Sequence, residues 1–108
     1  MAAKCKPEVD PPLPNSTYIL GKHWTITYHK SAMALENHGE CDEGKCCIFL
    51  AEETDIQSLK ETLLHEIFHA MSKSLGLELK ERQVLPLGCA WYAWVRENPE
   101  QIAWILKD

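Results

Sequence analysis

The chain has 108 residues and a net charge of −5, and 45% of its residues are hydrophobic. This length and composition predict one soluble globular domain with one modest core. The interspersed charges argue against a broad cationic surface for direct nucleic-acid binding, and the longest apolar run, Cys46 to Ala51, is too short to span a membrane.

The N-terminal stretch indicates where the folded domain begins, and the cysteines indicate the cellular compartment. Residues 1–15 contain four prolines and lack the apolar stretch of a secretion signal, so we expect a flexible leader and a single domain over residues 16–108. The five cysteines include the adjacent pair Cys46 and Cys47, which fits intramolecular disulfides badly. Reduced thiols in the cytoplasm are the simpler interpretation.

Short segments in the first half of the chain have the pattern of β-strands. Apolar and polar residues alternate from His23 to His29, and the residues before Gly21 can form a hairpin partner for this strand. A turn-type run from Cys41 to Cys46 leads into the apolar run Cys46 to Ala51. We therefore predict a small antiparallel sheet. The polar segment 31–39 is compatible with a loop or with a helical turn.

A capped, amphipathic helix is predicted to begin at Thr54. Thr54 and Gln57 have the spacing of a capping box, and the acidic Asp55 falls in the first turn, where the helix dipole favours it. Gly76 supplies the expected stop. The apolar side chains that recur at steps of three and four form one stripe for the core: Ile56, Leu59, Leu63, Ile67 and Ala70.

Two further helices are predicted towards the C-terminus. Helical spacing of apolar residues runs from Val84 to Val95 and ends near Asn98. Pro86 is comfortable only in an opening turn, so we predict that this helix begins at residues 82–84. A short last helix is expected from Glu100 to Leu106, and the four tryptophans are expected in the core and in helix seams. Together these elements predict an α+β fold.

Residues 65–69 carry a chemical motif within the first helix. They read His65, Glu66, Ile67, Phe68 and His69, which is the HExxH pattern. On an α-helix the two histidines lie one turn apart on the same face, so both imidazoles can reach one Zn²⁺ ion while Glu66 flanks it. The motif predicts a zinc site in which Glu66 is not a ligand but the base that activates a zinc-bound water molecule.

A catalytic zinc needs a third protein ligand from beyond this helix. Glu78, Glu81 and Gln83 lie in or just before the second helix, and we predict that Glu81 is the ligand. The alternatives outside this region are histidines: His23, His29 and His38. Glu61 lies one turn before His65. We expect it either to accept a hydrogen bond from the free N–H of an imidazole or to be an exposed surface acid.

The chain resembles the small HExxH metallopeptidases of bacteria and their phages, which are related to the ImmA/IrrE-type metallo-endopeptidases. The resemblance covers Tyr18 to Pro99. It rests on the segments Ile19 to Ile26, Glu61 to Ala70, Glu81 to Val84 and Trp91 to Pro99, and on Gly39 with Cys41 and Asp42 before the central strand. It implies a minimal zincin-like fold, a zinc site and cleavage of a protein substrate.

By position, the resemblance implies ligand roles for His65 and His69 and an acid/base role for Glu66. Glu81 matches the first member of the acidic pair that usually opens the last long helix of these proteins. The second member is Arg82 here, and the position of the ImmA-type glutamate falls on Gln83.

The motif and the resemblance together predict a cytoplasmic zinc endopeptidase of the gluzincin-like type. It would act on a protein or peptide substrate in a cleft between the sheet edge and the HExxH helix, where an extended peptide can pair with the edge strand. The alternative is a non-catalytic zinc-binding interaction module whose tryptophan-rich C-terminal region contacts a partner. A purely structural zinc site has no use for a base such as Glu66, which favours the enzyme. A metal-free helical adaptor would require the motif to be fortuitous.

Overall fold

The computed structural model describes residues 13–29, 39–52 and 55–108. Within these described ranges four strands precede three helices, so the predicted α+β class is confirmed. Residues 1–12 of the predicted leader and most of the segment 31–39 lie outside the described residues. The elements are β1 (Ser16–Ile19), β2 (Lys22–His29), β3 (Gly39–Asp42), β4 (Cys47–Ala51), α1 (Ile56–Ser74), α2 (Glu81–Glu97) and α3 (Pro99–Leu106).

The four strands form one mixed sheet in the order β1-β2-β4-β3. The pairs β1–β2 and β3–β4 are antiparallel, but β2 and β4 are parallel, with Thr25 opposite Cys47 and His29 opposite Ala51. The prediction of an antiparallel sheet is therefore wrong for the central pair. Alternation along a strand shows which face is buried but not the direction of its neighbour. Although β3 follows β2 in the chain, it lies at the edge of the sheet and pairs with β4 as a hairpin. The next strand, β4, therefore lies between β3 and β2 and runs parallel to β2.

A two-residue loop joins β1 to β2. Leu20 and Gly21 both have positive φ, 51° and 82°, and Ile19 lies opposite Lys22. Two positive φ angles in a two-residue loop are the requirement of a type I′ turn, whose twist matches that of the flanking strands. The hairpin expected before Gly21 is confirmed.

One face of the sheet packs against α1 to form the core. Trp24 and Ile26 are 1% and 4% exposed, which confirms the alternation predicted for β2. The buried cluster consists of Ile19, Trp24, Ile26, Ile48, Leu50, Leu59 and Ala70, with Ile56, Leu63 and Ile67 packed against it. Burying each large apolar side chain stabilises the fold by roughly 1.5–3 kcal/mol. The predicted stripe of α1 thus faces the core, and another side of α1 is free to carry polar groups.

Both ends of α1 are capped by local hydrogen bonds. The N-cap is Asp55, whose Oδ1 accepts a hydrogen bond from the Ser58 N–H at 2.8 Å. The prediction of Thr54 as the cap is wrong by one residue, because the Asp55 carboxylate reaches the free N–H instead. At the other end Gly76 has φ of 73°, and the Leu77 N–H donates to the Ser72 carbonyl at 2.8 Å. This is a Schellman termination, and the predicted stop at Gly76 is confirmed.

The second helix begins earlier than predicted. Its first residue is Glu81, and Pro86 lies inside the helix as the sixth residue. The predicted onset at residues 82–84 is therefore wrong, although by only one residue. The Lys80 N–H donates to the Gln83 side-chain oxygen at 2.7 Å, and this local cap stabilises a start ahead of the proline. The predicted end near Asn98 is confirmed, because Asn98 is the C-cap.

The short third helix forms as predicted, with Pro99 at its first position. The expectation for the tryptophans holds for Trp24 and fails for Trp104, which is 76% exposed. Trp91 is 44% exposed and stacks on Trp94 with ring centroids 5.3 Å apart. Trp91 and Trp94 lie on α2, whereas Trp104 lies on α3, where no described residue packs over it. None of the described helices is long and apolar enough to cross a membrane.

Candidate metal centre

The two histidines of the HExxH motif lie on adjacent turns of α1 and point to a common place. Their Nε2 atoms are 3.2 Å apart, and the ring centroids are 4.7 Å apart. This closeness follows from the i, i+4 spacing on a helix. Both rings are partly buried, so they lie in a cleft and not on an open surface.

A carboxylate from the first turn of α2 completes this group. Glu81 places one oxygen 2.8 Å from Nε2 of His65 and the other oxygen 2.8 Å from Nε2 of His69. The Schellman end of α1 and the cap of α2 determine this position, because together they turn the chain back on itself within a few residues. Among the described residues, His65, His69 and Glu81 are the group whose ligand atoms could hold a metal ion, all within 4.8 Å of one another.

The other candidate third ligands are not at this place. Gln83 is occupied as the cap of α2 through its hydrogen bond from Lys80. Glu78 is exposed and is not part of the group. His23 contacts the ring of Tyr18 and His29 the ring of Phe49 on the sheet, and His38 lies outside the described residues.

The arrangement of the three side chains fits a tetrahedral ion. Two imidazole nitrogens and one carboxylate are a donor set found in catalytic zinc sites. Zn–N bonds of roughly 2.0–2.1 Å at tetrahedral angles place two ligand atoms about 3.3 Å apart. The separation of 3.2 Å between the two Nε2 atoms is of this size, and the two separations of 2.8 Å to the Glu81 oxygens are hydrogen-bond distances that would lengthen around an ion. The group can therefore take a small divalent cation with little rearrangement, although the ligand role of Glu81 stays a prediction.

Burial favours the neutral form of His65. Desolvation lowers the pKa of His65 and the neighbouring His69 lowers it further, while Glu81 raises it, and the net shift is downward from 6.5. Neutral imidazole is the form that offers a lone pair to a metal ion. The environment of His65 is thus suited to ligation near neutral pH.

Glu66 is buried beside this group. It is 4% exposed, and burial, together with the negative charges of Glu81 and Glu40, raises its pKa to about 7. Lys73 opposes this shift without overcoming it. A carboxyl group with a pKa near neutrality can both accept and release a proton at physiological pH, which is what a general acid/base requires.

Gly39 of β3 makes room for the Glu66 side chain. A Cβ atom at Gly39 would lie 2.6 Å from Thr62 Cγ2 and 3.2 Å from the Oε2 atom of Glu66. A residue with a Cβ atom there would have to displace the side chain of Thr62 or Glu66. Sequence reasoning did not single out Gly39 as a site residue, because the contact joins two elements that are distant along the chain.

A cavity of about 250 Å³ opens next to His65 and Glu81 between α1 and α2. Gly88 lies on its α2 side, where a Cβ atom would be 3.5 Å from the Cα of His65. The remaining lining residues are Glu61, Thr62, Leu85 and Cys89. Glu61 makes no hydrogen bond to either imidazole, so the expected hydrogen bond from a free imidazole N–H is not observed in this structure. It is nevertheless half-buried at the cavity and not a fully exposed surface acid.

Comparison of the chain with protein-family models, with curated proteins and with solved structures gives no significant match.

Proposed function

We propose that this protein is a zinc-dependent endopeptidase. One observation carries the proposal: three donor side chains meet within 4.8 Å, and a buried carboxyl group with a raised pKa adjoins them in the HExxH motif. A purely structural zinc site is closed by four protein ligands and does not need such a group. Three ligands and one free acid/base are the composition of a hydrolytic centre.

In the proposed mechanism, His65 and His69 would hold the ion through Nε2, and Glu81 would hold it through its carboxylate. When bound, zinc supplies Lewis acidity that lowers the pKa of a water molecule and polarises a peptide carbonyl. The neutral His65 and the single carboxylate of Glu81 leave the site with net positive charge, which this chemistry requires. An imidazole ring must be neutral to offer its lone pair to the ion, so cleavage depends on the neutral form of both rings.

Glu66 moves the protons of the reaction. Its carboxylate takes a proton from the attacking water, whose oxygen then bonds to the carbonyl carbon of the substrate. Glu66 subsequently gives that proton to the amide nitrogen as the C–N bond breaks, which yields a carboxylic acid and an amine. Burial supports this role because it raises the proton affinity of Glu66 to the range in which both transfers are possible at neutral pH.

The substrate main chain is proposed to lie along β3. In the described sheet β3 is an edge strand, and α1 packs directly against it. Its first residue, Gly39, touches Glu66 and Thr62, so an extended peptide paired with this edge would run past the catalytic carboxyl group. A protein or peptide substrate fits such an open edge better than a small molecule.

The fold family and the cellular location are part of the same proposal. The HExxH helix, the edge strand and the glutamate at the start of the next helix support a minimal zincin-like fold of the kind found in ImmA/IrrE-type and phage metallopeptidases. The four described cysteines, Cys41, Cys46, Cys47 and Cys89, are free, which agrees with a cytoplasmic location.

A second candidate function is a zinc-binding interaction module without catalysis. It is favoured by an apolar groove of about 460 Å³ on the other flank of α2. Phe68, Leu87, Ala90, Trp91 and Trp94 line this groove. In this case the metal would hold α1 and α2 together and the groove would contact a partner protein. The buried Glu66 speaks for the enzyme, because an interaction module gains nothing from a costly buried acid.

Cleavage assays separate the two functions. Wild-type protein, Glu66→Gln and His69→Ala are compared on casein and on a peptide library, with bound zinc measured in each sample. We expect about one equivalent of zinc in the wild type and in Glu66→Gln, less in His69→Ala, and cleavage by the wild type alone. Zinc binding without cleavage by the wild type would support the interaction module instead.

A further inference from the structure

The cavity beside the candidate metal centre contains a carboxylate that the proposed mechanism does not use. Glu61 lies one turn before His65 on α1 and is half-buried where it lines the cavity. It makes no ion pair with any described residue, whereas Glu81 is engaged by both imidazoles. Glu61 is therefore an acceptor that is available to a ligand in the cavity.

The walls of the cavity are mixed in character. Leu85 supplies apolar surface, and Thr62 and Gly88 also line the cavity. Two carboxylates line the cavity, and none of the described lining residues is a lysine or arginine. An apolar wall next to an uncompensated negative charge suits a ligand with a hydrocarbon stem and a cationic end.

The size and place of the cavity suit one side chain of a bound peptide. Its volume of about 250 Å³ lies below the roughly 300–1,000 Å³ of pockets that enclose a whole small molecule. His65 lines the same cavity, so a side chain seated there would belong to a residue next to the bond under attack.

We propose that this cavity is the subsite for an arginine or lysine side chain of the substrate, with Glu61 as the residue that determines this specificity. The inference rests on the proposed function and names the substrate class of the same site. The stem of the basic side chain packs along Leu85, and its cationic end donates hydrogen bonds to the Glu61 carboxylate. Arginine is the better fit, because its guanidinium group can bond both oxygens of one carboxylate.

Binding of small amides tests the subsite without relying on cleavage. N-acetyl-arginine methylamide and N-acetyl-citrulline methylamide have nearly the same shape but differ in charge. Their affinities are measured by NMR titration of the full-length protein, both zinc-loaded and after chelation. We expect about tenfold tighter binding of the arginine compound, which is the effect of one charge-assisted hydrogen bond. The amide signals of Leu85 and Gly88 should shift on binding.

Variants assign the selectivity to Glu61. Glu61→Gln should bring the ratio of the two affinities close to one, and Glu61→Lys should favour N-acetyl-glutamate methylamide. Glu97→Gln removes the same charge at the far end of α2, about 24 Å from Glu81 by helix length, and should leave the ratio unchanged. Both substitutions at residue 61 are at a partly exposed helix position, so the fold should be retained.

Five outcomes decide the assignment. Equal affinity for the arginine and citrulline compounds in the wild type would overturn it, and so would an unchanged ratio in Glu61→Gln. Glycine methylamide, which has a free amine and no side chain, should bind more weakly; equal binding would mean that the cavity takes a chain terminus and would also overturn the assignment. Selective binding of the arginine compound without any peptide cleavage would support the subsite while overturning the proposed peptidase activity. Cleavage with no preference for basic residues would support the peptidase activity while overturning the subsite.

Discussion

Gly39 of β3 lies so close to Glu66 of α1 that a single added carbon atom would come within 3.2 Å of the Glu66 side chain. This contact joins the edge strand to the candidate acid/base group. It explains why Glu66 is held in a buried position although it is charged in water: the sheet covers it from one side and α1 supports it from the other. The position of Glu66 thus depends on a glycine 27 positions earlier in the chain.

Gly39→Ala should displace Glu66 or Thr62 and reduce cleavage about tenfold or more. The new Cβ would be 2.6 Å from Thr62 Cγ2, and such overpacking typically costs about 1–3 kcal/mol of stability. Zinc content should stay near the wild-type value, since the ligands are elsewhere. Peptide cleavage, zinc content and urea unfolding are the measurements.

A matched control is Gly44→Ala, because Gly44 lies in the β3–β4 turn and its Cβ would be 3.4 Å from Asp42 Oδ1. It should leave cleavage unchanged. Adding Thr62→Ser to Gly39→Ala removes the nearest clashing atom and should recover part of the lost stability. Wild-type activity and stability in Gly39→Ala would refute this account of the contact.

Glu66 should make the metal-free protein less stable as the pH rises. Its pKa in the folded state is raised to about 7 from 4.5, so between these values the unfolded chain releases the proton while the folded protein keeps it. The stability that the protonated group provides is fully present below about pH 4.5 and is lost as the pH rises through about 7. Each pKa unit corresponds to about 1.36 kcal/mol, so the shift from 4.5 to about 7 corresponds to a loss of roughly 3 kcal/mol.

Glu66→Gln removes this dependence because glutamine is neutral at every pH. In chelated protein, the variant should gain roughly 3 kcal/mol over the wild type between pH 4 and pH 8. Urea unfolding at both pH values measures the difference, with the exposed Glu97→Gln as the control that should show no such gain. A constant difference between Glu66→Gln and the wild type at both pH values would contradict the burial effect.

Asp55→Ala tests whether the start of α1 is set by this residue. Loss of the hydrogen bond to the Ser58 N–H should cost about 1 kcal/mol of the free energy of unfolding, while Asp55→Asn retains an N-cap and should cost little. Zinc content should be the same in both variants, because His65 lies more than two turns inside the helix. Equal stability of the alanine and asparagine variants would show that another residue caps α1.

Much of the local structure could be predicted from the sequence, because its signals are short-range. The period-two pattern of β2, the core stripe of α1 and the stop at Gly76 depend on neighbours within a few residues, and each is confirmed. The same is true of the closeness of His65 and His69, which follows from helical spacing. The cap at Asp55 and the onset of α2 at Glu81 were missed by one residue, since adjacent polar residues compete for the same free N–H groups.

What could not be predicted depends on contacts between distant elements. The parallel pairing of β2 with β4 depends on where the crossover places β3, and no local pattern encodes that choice. The packing of Gly39 on Glu66 and the cavity beside Glu61 arise only when the sheet and both helices are assembled. The exposure of Trp104 has the same origin, because a helical stripe is buried only if another element covers it.

Zinc titration of Glu81 variants tests the central claim most directly. If His65, His69 and Glu81 hold one ion, the wild type binds one equivalent of zinc, and Glu81→Gln weakens binding at least tenfold, whereas Glu78→Gln, three residues away, binds like the wild type. Isothermal titration of chelated protein measures both stoichiometry and affinity. Unchanged zinc affinity in Glu81→Gln, or no zinc binding by the wild type, would contradict the metal centre and with it the proposed peptidase.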